Sequence, residues 1–182
     1  MTVPRILIVD DEEAVRESYY KILETDKSSD ALDQMASSLF DEEEEDLLGE
    51  EMLGEGSEDP MVEEELDTEG YQLSDVPQGL EAVKAVEHAL AENQPFCLIF
   101  LDMRMPPGMD GMETAKRIRA LDPHVEIVIM TAYSDYSYQE IVEEVGNPER
   151  LLYFHKPFDP EQIQQLALSL TQRWQLDAQH RQ

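Results

Sequence analysis

The chain has 182 residues, and its 41% hydrophobic content is enough for one packed domain with additional segments. Its 42 acidic and 13 basic residues give a net charge of −29, which disfavours direct binding to nucleic acid. With one cysteine, no signal peptide and no apolar run of about 20 residues, we expect no disulfide framework, no membrane attachment and a cytoplasmic location.

Apolar runs and helical patterns alternate along the chain. Strands are predicted over 6–9, 71–76, 96–101, 125–130 and 151–154. Helices are predicted over 12–24, 79–93, 111–120 and 138–145, with a last helix starting at Asp159-Pro160. The second helix is expected to bury Leu80, Val83, Val86, Ala89 and Leu90. This alternation predicts an α/β fold with a doubly wound parallel sheet.

The segment between the first helix and the second strand carries most of the charge. Residues 28–69 contain 18 acids and no base, so the remaining 24 acids and 13 bases give a net charge of −11. A like-charge block of this kind is expected to be solvated and poorly ordered. Its interspersed apolar residues leave two alternatives, a tolerated surface insertion with transient amphipathic helices or a docking motif for a partner.

Acidic, hydroxyl and ammonium side chains follow four of the predicted strands. They are Asp10 with Asp11, then Asp102, Thr131 and Lys156. Parallel strands end at the same edge of a sheet, where open α/β sheets place their ligands. We therefore expect three carboxylates, a hydroxyl and an ammonium to meet in one crevice.

This order of residues resembles the receiver domain of response regulators. Receivers carry an acidic pair, a phosphorylated aspartate, Thr or Ser followed by Ala, and Lys-Pro after the first, third, fourth and fifth strands. The matching positions here are Asp10-Asp11, Asp102, Thr131-Ala132 and Lys156-Pro157. The resemblance implies a flavodoxin-like receiver fold with strand order 2-1-3-4-5, acting as a phosphorylation switch of two-component signalling and not as an enzyme.

The resemblance also implies a role for each of these residues. Asp102 is expected to receive a phosphoryl group from the phosphohistidine of a sensor histidine kinase or a histidine phosphotransfer protein. Lys156 pairs with the phosphoryl oxygens, and the Thr131 hydroxyl moves to hydrogen-bond the same group. The implied cofactor is Mg²⁺, with oxygen ligands from Asp10, Asp11, Asp102 and the backbone carbonyl of Arg104.

Three further side-chain roles and one peptide-bond geometry are carried over or argued from this pattern. Tyr153 corresponds to the aromatic residue that repacks when the hydroxyl of Thr131 moves, which alters the surface of helix 4, strand 5 and helix 5. Arg104 and Tyr133 are expected to crowd the path of the hydrolytic water and so to prolong the phosphorylated state. The Lys156-Pro157 bond corresponds to a receiver position that is usually cis.

Two features depart from the commonest receiver pattern. The loop 106–111 is one residue longer, and the 91 positions from Asp11 to Asp102 are about twice the usual separation. These departures assign three segments: a receiver domain at 1–27 and 70–176, an acidic insertion at 28–69, and a C-terminal helical extension or linker at 177–182.

The motifs look like those of receivers at the N-terminus of larger histidine kinase or diguanylate cyclase proteins. The implied partners are the phosphodonor, a fused or separate output domain, and a second copy across the face of helix 4, strand 5 and helix 5. The sequence leaves open whether the chain is a fragment or a stand-alone receiver.

Two other functions are weighed against the receiver. Haloacid dehalogenase-type phosphatases also form an aspartyl phosphate, but their nucleophile lies in Asp-x-Asp, and Arg104 occupies the second position here. An acidic module binding basic partners through 28–69 would leave the ordered cluster unexplained. Cys97 is expected in the core, and the four histidines lack the spacing of a zinc site.

Overall fold

A computed structural model of the chain describes residues 3–24, 70–132 and 136–181. The strands are β1 (Arg5–Val9), β2 (Gln72–Val76), β3 (Leu98–Asp102), β4 (Glu126–Thr131) and β5 (Leu151–His155). The α-helices are α1 (Glu13–Glu24), α2 (Gly79–Ala91), α3 (Gly111–Leu121), α4 (Tyr138–Val145) and α5 (Pro160–His180), with a 3-10 turn at Pro148–Arg150 before β5.

The chain divides into two units. One comprises 1–26 and 70–182, and the other comprises 27–69. The second unit, which contains the predicted acidic insertion, lies outside the described residues.

The five strands form one parallel sheet in the order β2-β1-β3-β4-β5, so the predicted topology is confirmed. Helices α2, α3 and α4 contribute buried residues to the core on one face, and α1 and α5 to the core on the other. The central strands are therefore buried on both sides, which explains why their sequences are continuous apolar runs and not alternating patterns.

Side-chain caps begin three of the helices at the positions that the sequence indicates. The Asp110 carboxylate accepts a hydrogen bond from the Glu113 N–H at the start of α3. Ser137 forms a capping box with Glu140 at the start of α4, and Asp159 caps α5 just before Pro160. These local signals fix where each helix leaves the carboxyl edge of the sheet.

The structure corrects several details of the sequence-based description. Leu80 and Leu90, predicted to point inward, are 49% and 36% exposed. Both lie in the terminal turns of α2, whereas the buried Val83, Val86 and Ala89 occupy positions between them. Strands β3 and β4 begin and end later than predicted, so that Asp102 and Thr131 are the last residues of their strands.

An ion-pair network joins the C-terminal half of α5 to the strand ends opposite the cluster. The Glu126 carboxylate, only 1% exposed, accepts hydrogen bonds from Arg150 at 2.7 Å and from Arg173. Arg150 also pairs with Asp177 of α5. The network ties Arg173 and Asp177, which lie about one turn apart on α5, to the first residue of β4 and to the residue before β5.

Two further side chains characterise the core and its rim. Cys97 is buried as predicted, and burial raises the pKa of its thiol to about 11. Trp174, the single tryptophan of the chain, lies half-buried on α5 with the Arg181 guanidinium 5.7 Å from its ring centroid.

In the part of the chain that the structure describes, no helix has the length and apolar character needed to cross a membrane.

Candidate functional site

Three carboxylates meet at the carboxyl edge of the sheet. Asp10 and Asp11 follow β1, and Asp102 ends the neighbouring strand β3. One oxygen from each lies within 4.8 Å of the others. Asp10 and Asp102 are buried, with 2% and 8% of their surface exposed, so that their charges are only weakly screened by water.

The ammonium of Lys156 bridges two of these carboxylates. Its Nζ lies 2.7 Å from Oδ2 of Asp10 and 3.3 Å from Oδ1 of Asp102. The Lys156 backbone N–H also donates to the Thr131 carbonyl at 2.7 Å, which continues the pairing of β4 and β5 past the strand end. The Lys156-Pro157 peptide bond is cis, as expected from the sequence.

Burial and charge shift the pKa of two groups in this cluster. Burial, together with the negative charge of Asp10, raises the pKa of Asp102 to about 6, although Lys156 and the Arg104 N–H oppose this shift. Burial lowers the pKa of Lys156, but hydrogen bonds and attraction from Asp10 and Asp102 outweigh it, so the net shift is upward. Lys156 therefore remains a cation at neutral pH.

A close backbone approach begins α3 beside the cluster. The Gly111 N–H donates to the Met103 carbonyl at 2.7 Å. A Cβ added at Gly111 would lie 2.4 Å from the Asp102 carbonyl oxygen and 2.8 Å from the Met103 Cα. Only glycine fits here without moving the backbone that carries Asp102.

Thr131 and Tyr153 lie on adjacent strands near the cluster. Thr131 is 1% exposed, and Tyr153 is half-buried, with its hydroxyl 3.5 Å from the carbonyl of Tyr136. The Tyr136 hydroxyl donates to Asp110 at 3.1 Å. A cavity of about 570 Å³ is lined by Tyr136 and by part of the β3-α3 loop, namely Met103, Arg104, Met105, Pro106, Gly108 and Asp110.

The structure brings together most of the residues predicted from the sequence. The three carboxylates lie within 4.8 Å of one another, Lys156 contacts Asp10 and Asp102, and Arg104 donates its backbone N–H to Asp102. Tyr133 lies outside the described residues.

Sequence reasoning missed Arg16, which contacts the loop of the acidic pair, and its partner Asp75. The guanidinium of Arg16 reaches both the Asp10 backbone carbonyl and the Asp75 carboxylate. The available signal was an arginine six positions after Asp10, close enough in α1 to reach back to the strand end. Nothing in the sequence indicated that Asp75 would lie beside it.

The donor set suits a hard divalent cation. Asp10, Asp11 and Asp102 offer only carboxylate oxygens, the ligand type that Mg²⁺ prefers. Three ionised carboxylates and the ammonium of Lys156 leave a net charge of about −2, which a divalent cation would neutralise. The same arrangement leaves Asp102 as a carboxylate nucleophile next to a fixed cationic group.

Comparisons with known proteins agree with this geometry. Residues 60–168, which are 109 of the 182, match the family model described as the response regulator receiver domain. Sporulation initiation phosphotransferase F of Bacillus subtilis (strain 168) is 35% identical over 103 residues, covering 57% of this chain and 76% of that protein. The transcriptional regulatory protein ZraR of Escherichia coli (strain K12) is 34% identical over 111 residues, which cover 60% of this chain but only 23% of that protein.

Solved structures show the same fold at low sequence identity. A CheY-like receiver domain protein from Methanospirillum hungatei JF-1 superposes with a TM-score of 0.62 at 19% identity, covering 97% of this chain and 99% of that one. The N-terminal domain of a response regulator/sensory box/GGDEF 3-domain protein from Carboxydothermus hydrogenoformans gives a TM-score of 0.58 at 16% identity, covering 96% and 98%.

The family match begins at residue 60 and so leaves out β1 and the acidic pair. The sheet supplies them, because β1 lies between β2 and β3 and brings Asp10 and Asp11 beside Asp102. With its fold, its cluster and its sequence matches in agreement, the chain belongs to the response regulator receiver domain family of two-component signalling.

Proposed function

We propose that Asp102 accepts a phosphoryl group from a phosphohistidine on a sensor histidine kinase or a histidine phosphotransfer protein. The observation that carries this proposal is the bridging of Asp10 and Asp102 by Lys156 within a cluster of three carboxylates. Membership of the receiver family supports the same assignment.

In the proposed step, a carboxylate oxygen of Asp102 attacks the phosphorus. The bond between phosphorus and the imidazole nitrogen breaks, its electron pair becomes the lone pair of that nitrogen, and the imidazole leaves as a neutral ring with its proton on the other nitrogen. Mg²⁺ would be held by Asp10, Asp11, Asp102 and the Arg104 carbonyl, and it would neutralise the charge of the incoming group. Lys156 pairs with one phosphoryl oxygen and so orients the phosphoryl group for in-line attack by Asp102.

We extend the proposal to the switch that follows. The Thr131 hydroxyl donates to a phosphoryl oxygen on Asp102, and Tyr153 repacks into the space that the hydroxyl leaves. The two residues lie on neighbouring strands, with Thr131 at the end of β4 and Tyr153 in the middle of β5 opposite Ile129, which supports this coupling. The surface that changes is formed by α4, β5 and α5.

The lifetime of the phosphorylated state is assigned to Arg104 and Tyr133. A long cation and an aromatic ring two positions after Asp102 and Thr131 would crowd the approach of water to phosphorus. The decay rate of phospho-Asp102 in an Arg104→Asn, Tyr133→Glu double variant tests this assignment. Decay at the unsubstituted rate would exclude it.

The larger context is proposed from relatives and from the sequence. A fused or separate output domain, of the histidine kinase or diguanylate cyclase type, is supported by a structural neighbour that is the N-terminal domain of a response regulator/sensory box/GGDEF 3-domain protein. We propose that the receiver comprises 1–27 and 70–176, with an insertion at 28–69 and a C-terminal extension at 177–182. A homodimer across α4, β5 and α5 and a cytoplasmic location remain predictions from the sequence.

Intact-mass analysis after incubation with Mg²⁺ and acetyl phosphate tests the central proposal. One added phosphoryl group is expected on the unsubstituted protein, none on Asp102→Asn, and much less on Lys156→Ala because the phosphoryl oxygens lose their cationic partner. Asp159→Asn is the matched control, since asparagine also caps helices and Asp159 lies outside the cluster. Undiminished labelling of Asp102→Asn would refute the assignment of the acceptor.

Phosphate release from an external phosphomonoester distinguishes a phosphorylation switch from a phosphatase. A receiver stores one phosphoryl group and does not turn over an external substrate, whereas a haloacid dehalogenase-type enzyme would release phosphate continuously from many phosphomonoesters. Arg104 stands where such an enzyme carries its second aspartate, which favours the switch. Sustained, Asp102-dependent phosphate release from a phosphomonoester would favour the enzyme.

A further inference from the structure

The guanidinium of Arg16 contacts both the loop of the acidic pair and the edge strand β2. Its Nη1 donates to the Asp10 backbone carbonyl at 2.8 Å, and its Nε donates to Oδ2 of Asp75 at 2.7 Å. The other Asp75 oxygen accepts a hydrogen bond from the Tyr20 hydroxyl at 2.9 Å. The side chain of Arg16 is only 14% exposed, so water competes weakly for these acceptors.

The bond to the Asp10 carbonyl fixes the orientation of the next residue. A peptide unit is planar, so holding the carbonyl of Asp10 also sets the direction of the Asp11 N–H and Cα. The Asp11 carboxylate, one of the three in the cluster, starts from that Cα. Arg16 therefore controls where Asp11 points relative to Asp10 and Asp102.

The Asp75 carboxylate holds the guanidinium in the required place. Asp75 is paired with Ile8 across β1 and β2, one residue before the strand ends. Tyr20 and Arg16 of α1, which precede Asp75 by 55 and 59 positions, each donate a hydrogen bond to one of its two carboxylate oxygens. The contact thus ties α1, the edge strand and the acidic loop into one unit.

We infer that Arg16, anchored by Asp75, is a positioning residue for the divalent-cation site formed by Asp10, Asp11 and Asp102. This inference rests on the proposed function and names a residue of this chain that tunes it. Some residues orient metal ligands by hydrogen bonds without contacting the metal. Substituting such a residue typically weakens metal affinity by about tenfold to a hundredfold.

Positioning and charge predict opposite changes in Mg²⁺ affinity when Arg16 is replaced by a neutral residue. The direction of the change therefore tests the inference. Removing a positive charge next to an acidic site strengthens the attraction of the site for a divalent cation. Loss of positioning weakens that attraction, because the carboxylates no longer converge without a cost in conformational freedom. A weaker site in an Arg16 variant therefore reports positioning.

The experiment measures Mg²⁺ dissociation constants by isothermal titration calorimetry on the full chain. Arg16→Met keeps the length and apolar stem of the side chain, and we expect it to weaken Mg²⁺ binding about tenfold. The matched control is Arg117→Met, which removes the same charge from an exposed ion pair with Glu113 on α3. Its dissociation constant should stay within about twofold of the unsubstituted value, because an exposed pair contributes little.

Two further variants separate positioning from general destabilisation. Asp75→Ala leaves Arg16 in place but removes its anchor, and we expect about threefold weaker Mg²⁺ binding. Tyr20→Phe removes only the second bond to Asp75 and should change the constant by less than about twofold. Urea unfolding in EDTA measures stability without the cation. If Arg16→Met does not fold, Arg16→Lys decides the matter, because it keeps the positive charge but loses the planar fork that reaches both acceptors, and weaker Mg²⁺ binding by this variant then reports positioning while an unchanged constant overturns it.

Each result of the Mg²⁺ titrations supports or overturns one specific claim. A folded Arg16→Met variant that binds Mg²⁺ as tightly as the unsubstituted protein, or more tightly, overturns the inference while leaving the proposed function intact. An unchanged constant in Asp75→Ala overturns the anchoring role. If the unsubstituted protein neither binds Mg²⁺ nor accepts a phosphoryl group, the proposed function fails and this inference fails with it.

Discussion

Asp102 carries a charge that its surroundings disfavour in the absence of a cation. Burial and Asp10 raise its pKa from 3.8 to about 6. The folded state therefore binds more protons than the unfolded chain between these two values, and stability falls as pH rises through that window. Above it, the ionised carboxylate destabilises the cation-free folded state.

This linkage predicts that Asp102→Asn stabilises the cation-free protein. Asparagine cannot ionise, so we expect the free energy of unfolding at pH 7 in EDTA to rise by roughly 2 kcal/mol. The decline in stability between about pH 4 and pH 6 should also flatten. Urea unfolding across this range measures both, with Asp159→Asn as the control that leaves the cluster intact. A variant with the unsubstituted pH profile would contradict the pKa argument.

The residues of the cluster were predictable because each follows or ends a strand, and strand ends of a parallel sheet converge. Arg16 and Asp75 were not, since their contact spans 59 positions and depends on where α1 crosses the edge strand. The exposure of Leu80 was also missed, because helical periodicity identifies a face but not how far the neighbouring layer covers it.

At the scale of elements, the end of β3 and the start of α3 lie in backbone contact. Gly111→Ala would bring a Cβ against the Asp102 carbonyl oxygen and the Met103 Cα, neither of which can rotate away. We expect a loss of about 2–3 kcal/mol in the free energy of unfolding, and reduced phosphoryl labelling because Asp102 shifts with its backbone.

Gly108→Ala provides the matched comparison in the same loop. Its added Cβ would lie 2.4 Å from Oε1 of Gln78, the far end of a flexible side chain. We expect a cost below about 1 kcal/mol in chemical denaturation, because the amide can rotate aside. Equal costs at the two glycines would show that backbone contact is not what excludes a side chain at Gly111.

The network around Glu126 should contribute strongly to the attachment of α5. Arg150→Met leaves the buried Glu126 carboxylate with Arg173 but without its 2.7 Å partner, and releases Asp177. Because a buried charge that loses a partner is costly, we expect a loss of about 2–4 kcal/mol in the free energy of unfolding.

The control for this substitution is an exposed ion pair. Lys116 and Glu144, whose side chains are 52% and 53% exposed, join α3 to α4 at 2.8 Å. Lys116→Met should cost less than about 1 kcal/mol in the same urea titration. A comparable loss in both variants would mean that burial does not set the strength of the Glu126 network.

At the scale of the whole molecule, β2 is held in the sheet by contacts with β1 and α1 and does not depend on a short connection from α1. All five residues of β2 pair with β1, and Asp75 is gripped from α1. We therefore expect a protein in which a short Gly-Ser linker replaces 28–69 to unfold cooperatively and to label at Asp102 as before. Lengthening a loop costs only about 0.6 kcal/mol per doubling.

The charge removed with this segment predicts a salt dependence. Its 18 acids account for the change in net charge from −29 to −11, so the shortened protein should be more stable at low salt by relief of repulsion, with the difference shrinking as salt rises. A version of the full chain with these acids changed to Asn or Gln separates charge from length. Loss of soluble folded protein on deletion would mean that 28–69 is part of the fold.

Trp174 gives the protein a built-in optical probe. As the single tryptophan, half-buried on α5 beneath Arg181 and next in sequence to Arg173, it emits from the helix that the Glu126 network attaches. Indole emission moves to longer wavelength when water reaches the ring, so a loosened helix is visible without a label. Fluorescence can thus follow the detachment of α5 while mass analysis follows Asp102, and the two ends of the sheet can be observed separately in one sample.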